Sequence, residues 1–276
     1  MSQLPTRKAE EWRYGDLAAL GEVWGENVSL GRDIVVAPGE TRALTELLDG
    51  SGWRNDRVAV SVASGARLDL CIVQAREPDT VTTMLYTVDI AAGASAQIDI
   101  LQHGSRFGRI AVEVTLGDGA TFELNGVILA RGTQTIEIVT TMRHVAPHAT
   151  TRQTVRIVAD ERATGSYLGK VAVARGAQKT DASQSVKALL LARTATVNAK
   201  PELEIYADDV KCAHGASVGE LNRDALFYLQ SRGVDPAAAK ALLTRAFLGD
   251  ARDRIGDEAV RDAVTADAVA WLEGER

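Results

Sequence analysis

The chain has 276 residues, of which 46% are apolar and 25% are charged, and its net charge is −6. These fractions are ordinary for a globular protein, and the acidic balance excludes a broadly basic nucleic-acid-binding surface. No apolar run is long enough to span a membrane, and the charged N-terminus lacks the apolar core of a secretory signal. Two cysteines are too few for a disulfide framework, so we expect a cytoplasmic protein.

The first 26 residues are expected to form a short N-terminal helical segment. The stretch "TRKAEEWRYGDLAAL" is charged and amphipathic, and threonine is a common helix N-cap. We therefore predict one helix from Thr6, as its N-cap, to about Leu20. The β core is predicted to begin at residue 27.

The middle of the chain, residues 27–217, is organised by a repeat. A glycine, replaced once by histidine, recurs every 26 to 29 residues before a longer final step. These markers are Gly39, Gly65, Gly93, Gly119, His148, Gly176 and Gly215. A constant period in this range is typical of stacked-repeat proteins, and glycine suits tight corners because it has no side chain to clash.

The residues between the markers have the pattern of short strands. Ile110, Val112 and Val114, for example, alternate with Ala111 and Glu113, which directs one face inward and the other outward. The repeat and the alternation together predict a mainly β protein whose core is a β-solenoid. An antiparallel β-sandwich is the alternative, although it does not require a constant step.

Residues 218–276 are expected to form a C-terminal helical domain. A first helix, in "LNRDALFYLQSRG", is predicted to end at Gly233, and a second is predicted to start with Asp235 as N-cap and Pro236 as its first residue.

A third helix completes this domain. Its apolar positions on or near one face are Val260, Val264, Ala268 and Leu272. The three helices either cap the last coil of the solenoid, which would otherwise have an open edge, or form a docking surface.

The stretch "DDVKCAHGAS" holds one of the two cysteines and one of the four histidines. On an extended strand Cys212 and His214 project to the same side, and thiolate and imidazole suit iron, zinc or copper. Two ligands are incomplete, and the sequence marks no third or fourth. A nucleophile with its base is disfavoured because no orienting residue or oxyanion donor accompanies the pair. An inert cysteine with a histidine at a solenoid corner is the alternative.

The segment "KPELEIYADDVKCAHGASVGELNRDALFYLQSRGV" closely resembles the C-terminal signature of the SufB/SufD family of iron–sulfur cluster assembly proteins. The resemblance extends from about Gly165 to Phe247 and includes the N-terminal "PTRKAEEWRYGDL". It implies a right-handed parallel β-helix between helical ends. The SufB branch has a cysteine in the strand that here contains Asn198, Ala199 and Lys200, and a His-Glu pair where this chain has His214-Gly215. Both differences favour the SufD branch.

The resemblance implies a non-enzymatic subunit with two partners. A SufB-like paralogue would pair through the β-helix, and a SufC-like ABC ATPase would dock on the C-terminal helices. His214, with Cys212 beside it, would contribute to iron entry or cluster formation at the interface with SufB. The expected cargo is a transient iron ion or cluster; no tightly bound cofactor is expected, and nothing in the sequence supports a flavin.

The candidate anchors for the SufC-like partner lie mainly on the first C-terminal helix. They are Leu226, Phe227, Tyr228, Arg232 and Phe247. Aromatic residues and arginine are frequent interface anchors. A helix cannot bury three consecutive side chains on one face, so at least one of Leu226, Phe227 and Tyr228 is expected to point elsewhere.

The other chemically versatile residues are interpreted as structural. We expect His103 in a loop, His144 and His148 at a corner of the repeat, and Cys71 inside a strand. Asp208 and Asp209 are interpreted as a polar turn rather than an acid–base pair. Gln178, Asp181 and Gln184 match a family pattern, although polar ladders of a solenoid explain them equally well.

Two alternatives belong to other classes of protein. One is a β-helix enzyme of the polysaccharide lyase or acyltransferase type, but the export signal expected of the former and the six-residue repeat of the latter are absent from this sequence. The other is a homodimeric scaffold that acts without SufB.

Overall fold

The computed structural model describes residues 4–25, 31–256 and 258–274, and most of them belong to a stack of parallel strands. Odd-numbered and even-numbered strands form two separate seven-stranded sheets, so the chain crosses from one sheet to the other and back in every coil. The predicted β-solenoid is therefore confirmed, and the β-sandwich alternative is wrong because every strand pair is parallel.

The first sheet contains β1 (Arg32–Val36), β3 (Trp53–Val62), β5 (Val81–Ile90), β7 (Phe107–Leu116), β9 (Thr135–His144), β11 (Thr164–Val173) and β13 (Thr196–Ile205). The second sheet contains β2 (Thr41–Leu48), β4 (Arg67–Arg76), β6 (Ser95–Gly104), β8 (Thr121–Ala130), β10 (Thr150–Ala159), β12 (Asp181–Leu190) and β14 (Lys211–Glu220).

The register between coils keeps like residues above one another. Ile110 on β7 pairs with Met84 on one side and Ile138 on the other, and all three are buried between the sheets. Burying one such side chain stabilises the fold by about 1.5–3 kcal/mol. A shift of one residue would move a whole strand's apolar set to the outer face, so the core fixes the register.

The corners between the sheets explain the sequence repeat up to His148. Gly93, Gly119 and His148 all have positive φ angles of 61–65°. Their amides donate to carbonyls of the next coil, at Asp118, Pro147 and Gln178. The markers through His148 therefore lie at stacked corners, as predicted.

The last two markers are not corners of this type. In the β11–β12 connection the left-handed residue is Lys179, whose amide donates to Asp209 O, rather than Gly176. Gly215 lies in the middle of β14, and the last corner is instead the bend at Asp208 and Asp209. The longer final step of the repeat thus runs from Gly176, in the turn before β12, to Gly215 in the interior of β14.

The single N-terminal helix expected from Thr6 to Leu20 is wrong. The chain instead forms a 3₁₀ turn at Glu10–Trp12 and then α1 (Leu17–Val23), which is capped by the Asp16 side chain. Contacts with the first sheet hold this shape: Arg109 donates to Glu11 O at 2.7 Å and stacks over the Trp12 ring. The same arginine forms a buried ion pair with Glu137.

The C-terminal helices follow their predicted starts and stops. They are α2 (Arg223–Ser231), α3 (Pro236–Arg252) and α4 (Glu258–Glu273). Gly233 follows the end of α2 with a φ of 88°. The Asp235 side chain accepts from the Ala237 amide at 2.8 Å at the start of α3. The apolar face predicted for α4 is confirmed, because Val264 and Ala268 are buried.

The sequence left two roles open for these helices, a cap on the last coil or a docking surface. The helices do not cap the last coil. α3 and α4 lie on the outer face of the second sheet, where they bury outward-facing residues such as Leu101, Leu129 and Val158. Polar contacts hold the helices there, including the ion pair between buried Arg156 and Asp250. The outer face of this sheet is apolar enough to require a cover, whereas the end of the solenoid is not covered by these helices.

Within the three described ranges, no helix has both the length and the apolar character needed to cross a membrane.

Candidate functional site

The last coil of the solenoid, formed by β13 and β14, is open on one side. β13 pairs with β11 and β14 pairs with β12, and in the described part of the chain no further strand follows either one. Almost all of β14 is exposed to solvent. Two ten-residue strands thus present backbone donors and acceptors at the same end of the molecule, which makes this end a template for association.

Cys212 and His214 both lie on β14, two residues apart. Cys212 is in register with Ala182, and His214 with Gln184, and both β12 residues face the solenoid interior. The half-buried Cys212 packs against the apolar core, whereas His214 is exposed. Because residues i and i+2 share one face of a strand, both positions are on the face of β14 that borders the open end of the solenoid interior.

The electrostatic surroundings favour the neutral thiol of Cys212. Burial is the main cause that raises the pKa of this group, and Asp181 nearby acts in the same direction. A metal ion would therefore have to displace a proton before the sulfur became a ligand. In the described ranges, no three histidine, cysteine, aspartate or glutamate side chains converge as a metal-binding group. Thiolate and imidazole suit iron, but within the described residues only these two ligands come together.

The strand opposite, β13, has Asn198, Ala199 and Lys200 in its first half, and none of these side chains is a thiol or an imidazole. Asn198 donates to Ser166 Oγ at 3.0 Å, and Ala199 packs against the core. Lys200 forms ion pairs with Glu10 of the N-terminal segment and with Glu202. This side of the last coil is therefore charged and linked to the N-terminal segment.

The solenoid interior below His214 is polar. Gln153, Tyr167 and Thr140 form a buried network in which Tyr167 OH and Thr140 Oγ1 both lie within 2.9 Å of Gln153 Oε1. Gln184 extends the network, because its Nε2 lies 3.3 Å from Tyr167 OH. Burial raises the pKa of Tyr167, so the phenol keeps its proton. Gln153 and Tyr167 were not among the residues predicted from the sequence. The register that aligns Gln153, Gln184 and His214 on successive coils could have indicated this network.

The polar corner before β14 has a structural role. Gln178 Nε2 donates to Asp208 Oδ1 at 2.9 Å, and the Asp209 amide donates to Gln178 Oε1 at 3.0 Å. Asp209 also pairs with Lys179. The interpretation of Asp208 and Asp209 as a polar turn is confirmed.

The other histidines lie away from the open coil. The prediction that His103 lies in a loop is wrong. His103 is buried in β6, where its Nε2 lies 2.5 Å from Asp267 Oδ2 of α4. Contact with a helix far along the chain, which local sequence does not reveal, explains this error. His148 occupies a corner as expected, and Cys71 is buried in β4 beneath the C-terminal helices.

His144 ends β9 inside the solenoid and is fully buried, with Nε2 3.1 Å from Thr151 Oγ1. It does not form a ligand pair with the exposed His148. Burial lowers its pKa from the ordinary 6.5 to about 4, so the imidazole is neutral in the folded protein at neutral pH.

The predicted anchors on α2 are divided between exposed and half-buried positions. Phe227 is 72% exposed and Tyr228 57% exposed, and the Arg232 guanidinium lies 5.3 Å from the centre of the Tyr228 ring. We call these three residues the α2 patch. Leu226 is half-buried, and Phe247 packs against the cluster beneath α3 and α4.

The described residues thus form a parallel β-solenoid with an open last coil, a Cys-x-His pair on its last strand and helices packed on its side. Residues 33–247 match the family model described as SUF system FeS cluster assembly, SufBD core domain, and the chain belongs to this family.

The relatives identify the branch. An iron–sulfur cluster assembly SufBD family protein of Synechocystis is 36% identical over 62% of this chain and 38% of its own length. Protein ABCI7, chloroplastic, of Arabidopsis thaliana is 32% identical over 78% of this chain and 46% of its own. The iron–sulfur cluster assembly protein SufD of Escherichia coli is 32% identical over 54% and 36%. The chain is thus of SufD type, and it spans less than half the length of these relatives.

The buried His144 predicts a pH dependence of stability. Between about pH 4 and 6.5 the unfolded chain binds a proton at this residue and the folded chain does not. The stabilising contribution of His144 is therefore complete above pH 6.5 and is lost as the pH falls toward 4, by about 3 kcal/mol in total. Urea unfolding of His144→Gln across this range should show a weaker pH dependence than wild type.

The control for this measurement is His148→Asn, at an exposed corner where asparagine tolerates the left-handed backbone. This variant should keep the wild-type slope. Equal slopes for wild type and His144→Gln would contradict a buried neutral imidazole.

Proposed function

We propose that the chain is a SufD-like, non-enzymatic scaffold subunit that pairs with a SufB-like paralogue and docks a SufC-like ATPase in the cytoplasm. The observation that carries this proposal is the open last coil with Cys212 and His214 at its mouth. Family membership supports the general role in iron–sulfur cluster assembly. The partners and the role of each residue are part of the proposal.

The incomplete ligand set supports a site shared between two chains. A thiol and an imidazole two residues apart supply two soft donors, whereas iron in clusters usually has four ligands. The exposed edge of β14 brings these donors to a surface where a second chain can add its own. Iron or a nascent cluster is then cargo that passes through the interface, and this chain needs no tightly bound cofactor or flavin.

The open strand edges support a SufB-like paralogue as the partner at this surface. An added strand gains backbone hydrogen bonds along the edge, and side-chain pockets at alternate positions provide specificity. A second solenoid with a matching open coil offers two edges at the required spacing. A second copy of this chain would meet the same geometry and bring a second thiol–imidazole pair, so it is membership in the SufBD family that favours the paralogue.

The α2 patch supports docking of a SufC-like ATPase. Two exposed aromatic rings beside an arginine form the type of cluster that dominates binding energy at interfaces. Leu226 is half-buried and Phe247 packs against the cluster beneath α3 and α4, so both offer a partner less side-chain surface than Phe227 and Tyr228 do. α2 lies at the end of β14, so a partner bound there adjoins the open coil.

His214→Ala tests the shared site. The imidazole is exposed, so we expect His214→Ala to fold and to assemble with SufB-like and SufC-like partners as the wild type does. Anaerobic co-expression followed by iron and sulfide analysis should show cluster content reduced to background, because one interface ligand is missing.

His148→Asn is the matched control, since it removes an exposed histidine away from the open coil. Wild-type iron and sulfide content in His214→Ala would remove His214 from the proposed mechanism. Failure of the wild-type chain to assemble with either partner would contradict the proposal as a whole.

The double variant Phe227→Ala/Tyr228→Ala tests the α2 patch. Loss of two exposed anchors should weaken binding to a SufC-like ATPase about thirtyfold or more, which corresponds to ~2 kcal/mol. Because both side chains are exposed, the unfolding free energy should change by less than about 0.5 kcal/mol for each substitution. Calorimetric titration of the purified proteins measures the affinity.

Leu242→Ala is the control, because Leu242 is an exposed apolar residue of α3 outside the patch. It should leave the affinity unchanged. An unaltered affinity of the double variant would place the ATPase elsewhere on the molecule.

A further inference from the structure

Gln184 is a buried polar residue directly behind His214. It is 3% exposed, faces the solenoid interior from β12 and is in register with His214 on β14 and with Gln153 on β10. Three polar side chains thus occupy one register position on successive coils, and the last of them lies at the open edge.

The hydrogen bonds of the interior network define which end of the Gln184 amide is free. Tyr167 OH donates to Gln153 Oε1 at 2.9 Å, which uses its only proton. The Tyr167 oxygen therefore accepts from Gln184 Nε2 at 3.3 Å. The remaining amide atom, Gln184 Oε1, is buried and has no hydrogen-bond partner within the described residues.

An unpartnered buried acceptor is unfavourable, so a hydrogen bond from a donor within reach would stabilise the fold. Neighbouring strands lie about 4.8 Å apart, and residues in register point to the same face. His214 is therefore the residue in register with Gln184 on the open side, and rotation about its side-chain bonds can bring a ring N–H toward Gln184 Oε1.

We infer that Gln184 is a positioning residue for His214. Its amide oxygen accepts the N–H of one ring nitrogen, which fixes the tautomer and turns the other nitrogen toward the open edge. Metal-binding histidines commonly donate their second N–H to an oxygen in this way. The inference rests on the proposed function, because the ring nitrogen that becomes available is the one that would bind iron at the interface.

The rest of the network holds the glutamine in place. Thr140 Oγ1 and Tyr167 OH both donate to Gln153 Oε1, at 2.7 Å and 2.9 Å, and these two bonds hold the phenol oxygen beside Gln184. Tyr167 also occupies the space beside Gly169, where an added Cβ would lie 2.1 Å from the phenol oxygen and 2.6 Å from Gln184 Nε2. Glycine at this position therefore leaves room for the Tyr167–Gln184 contact.

The ¹⁵N chemical shifts of the His214 imidazole test this inference in the isolated chain, at a pH where the ring is neutral. In the wild type we expect one tautomer to dominate. In Gln184→Met, which keeps an unbranched side chain but removes the acceptor, the populations should relax to those of a free imidazole. Unchanged populations in Gln184→Met would overturn the inference.

Two further variants separate positioning from a general effect on folding. Gln184→Glu keeps an acceptor oxygen and should retain the dominant tautomer. Gln102→Met removes another fully buried interior glutamine, several coils from the open edge, and should leave the His214 signals unchanged. If Gln184→Met does not fold, the tautomer populations of His214 in the wild type decide the question. Free-imidazole populations in the wild type would overturn the inference.

This experiment also distinguishes the inference from the proposed function. The tautomer measurement requires no partner, iron or cluster. A dominant tautomer in a chain that fails to assemble clusters with its partners would leave Gln184 as a positioning residue and contradict the proposed function. Free-imidazole populations in a chain that assembles clusters normally would overturn the role of Gln184 and leave the proposed function intact.

Discussion

The in-register stacking of parallel strands is the constraint on which the rest of this molecule depends. Each ten-residue strand satisfies the backbone of the strand before it and leaves its own outer edge to be satisfied by the next. The apolar columns between the sheets make this register the stable one. A stack built in this way must end. Its last coil presents two strand edges and inward-facing positions that no further strand of the described residues covers.

The outer faces of the two sheets are covered differently from the end. The N-terminal segment packs on the first sheet through Arg109, and the C-terminal helices pack on the second sheet through a separate apolar cluster. Because both coverings are lateral, neither is used to close the solenoid. The open coil therefore carries the charged Lys200 on β13, and its last strand, β14, leads into α2 with the exposed patch.

The sequence predicted the solenoid because its requirements are local and periodic. A left-handed corner favours glycine, and strands with one inward face alternate, so Gly93 and Gly119 marked their corners correctly. The same logic failed where another residue adopted the left-handed conformation, as Lys179 does. It also failed where glycine stands in a strand, as Gly215 does at the exposed edge, with nothing within 4 Å of the position of an added Cβ.

Long-range contacts account for the remaining differences. The strands of the second sheet lose their alternation in segments such as "VILA" and "ALLL", which is the pattern of strands covered on both faces and could have predicted the lateral helices. The partner of His103 on α4 and the Gln153–Tyr167–Gln184 network depend on register between distant coils. Cys212 and His214 were recognisable as a pair from their spacing, but their place at an open edge became visible only when the coils were stacked.

The most direct test of the central claim is hydrogen–deuterium exchange of the backbone amides of β13 and β14, with and without a SufB-like partner. If the open coil is the pairing surface, amides along both strands should exchange more slowly in the complex, while the corner amides of the first coils stay unchanged. Formation of a stable complex in which β13 and β14 exchange as fast as in the free chain would contradict the account.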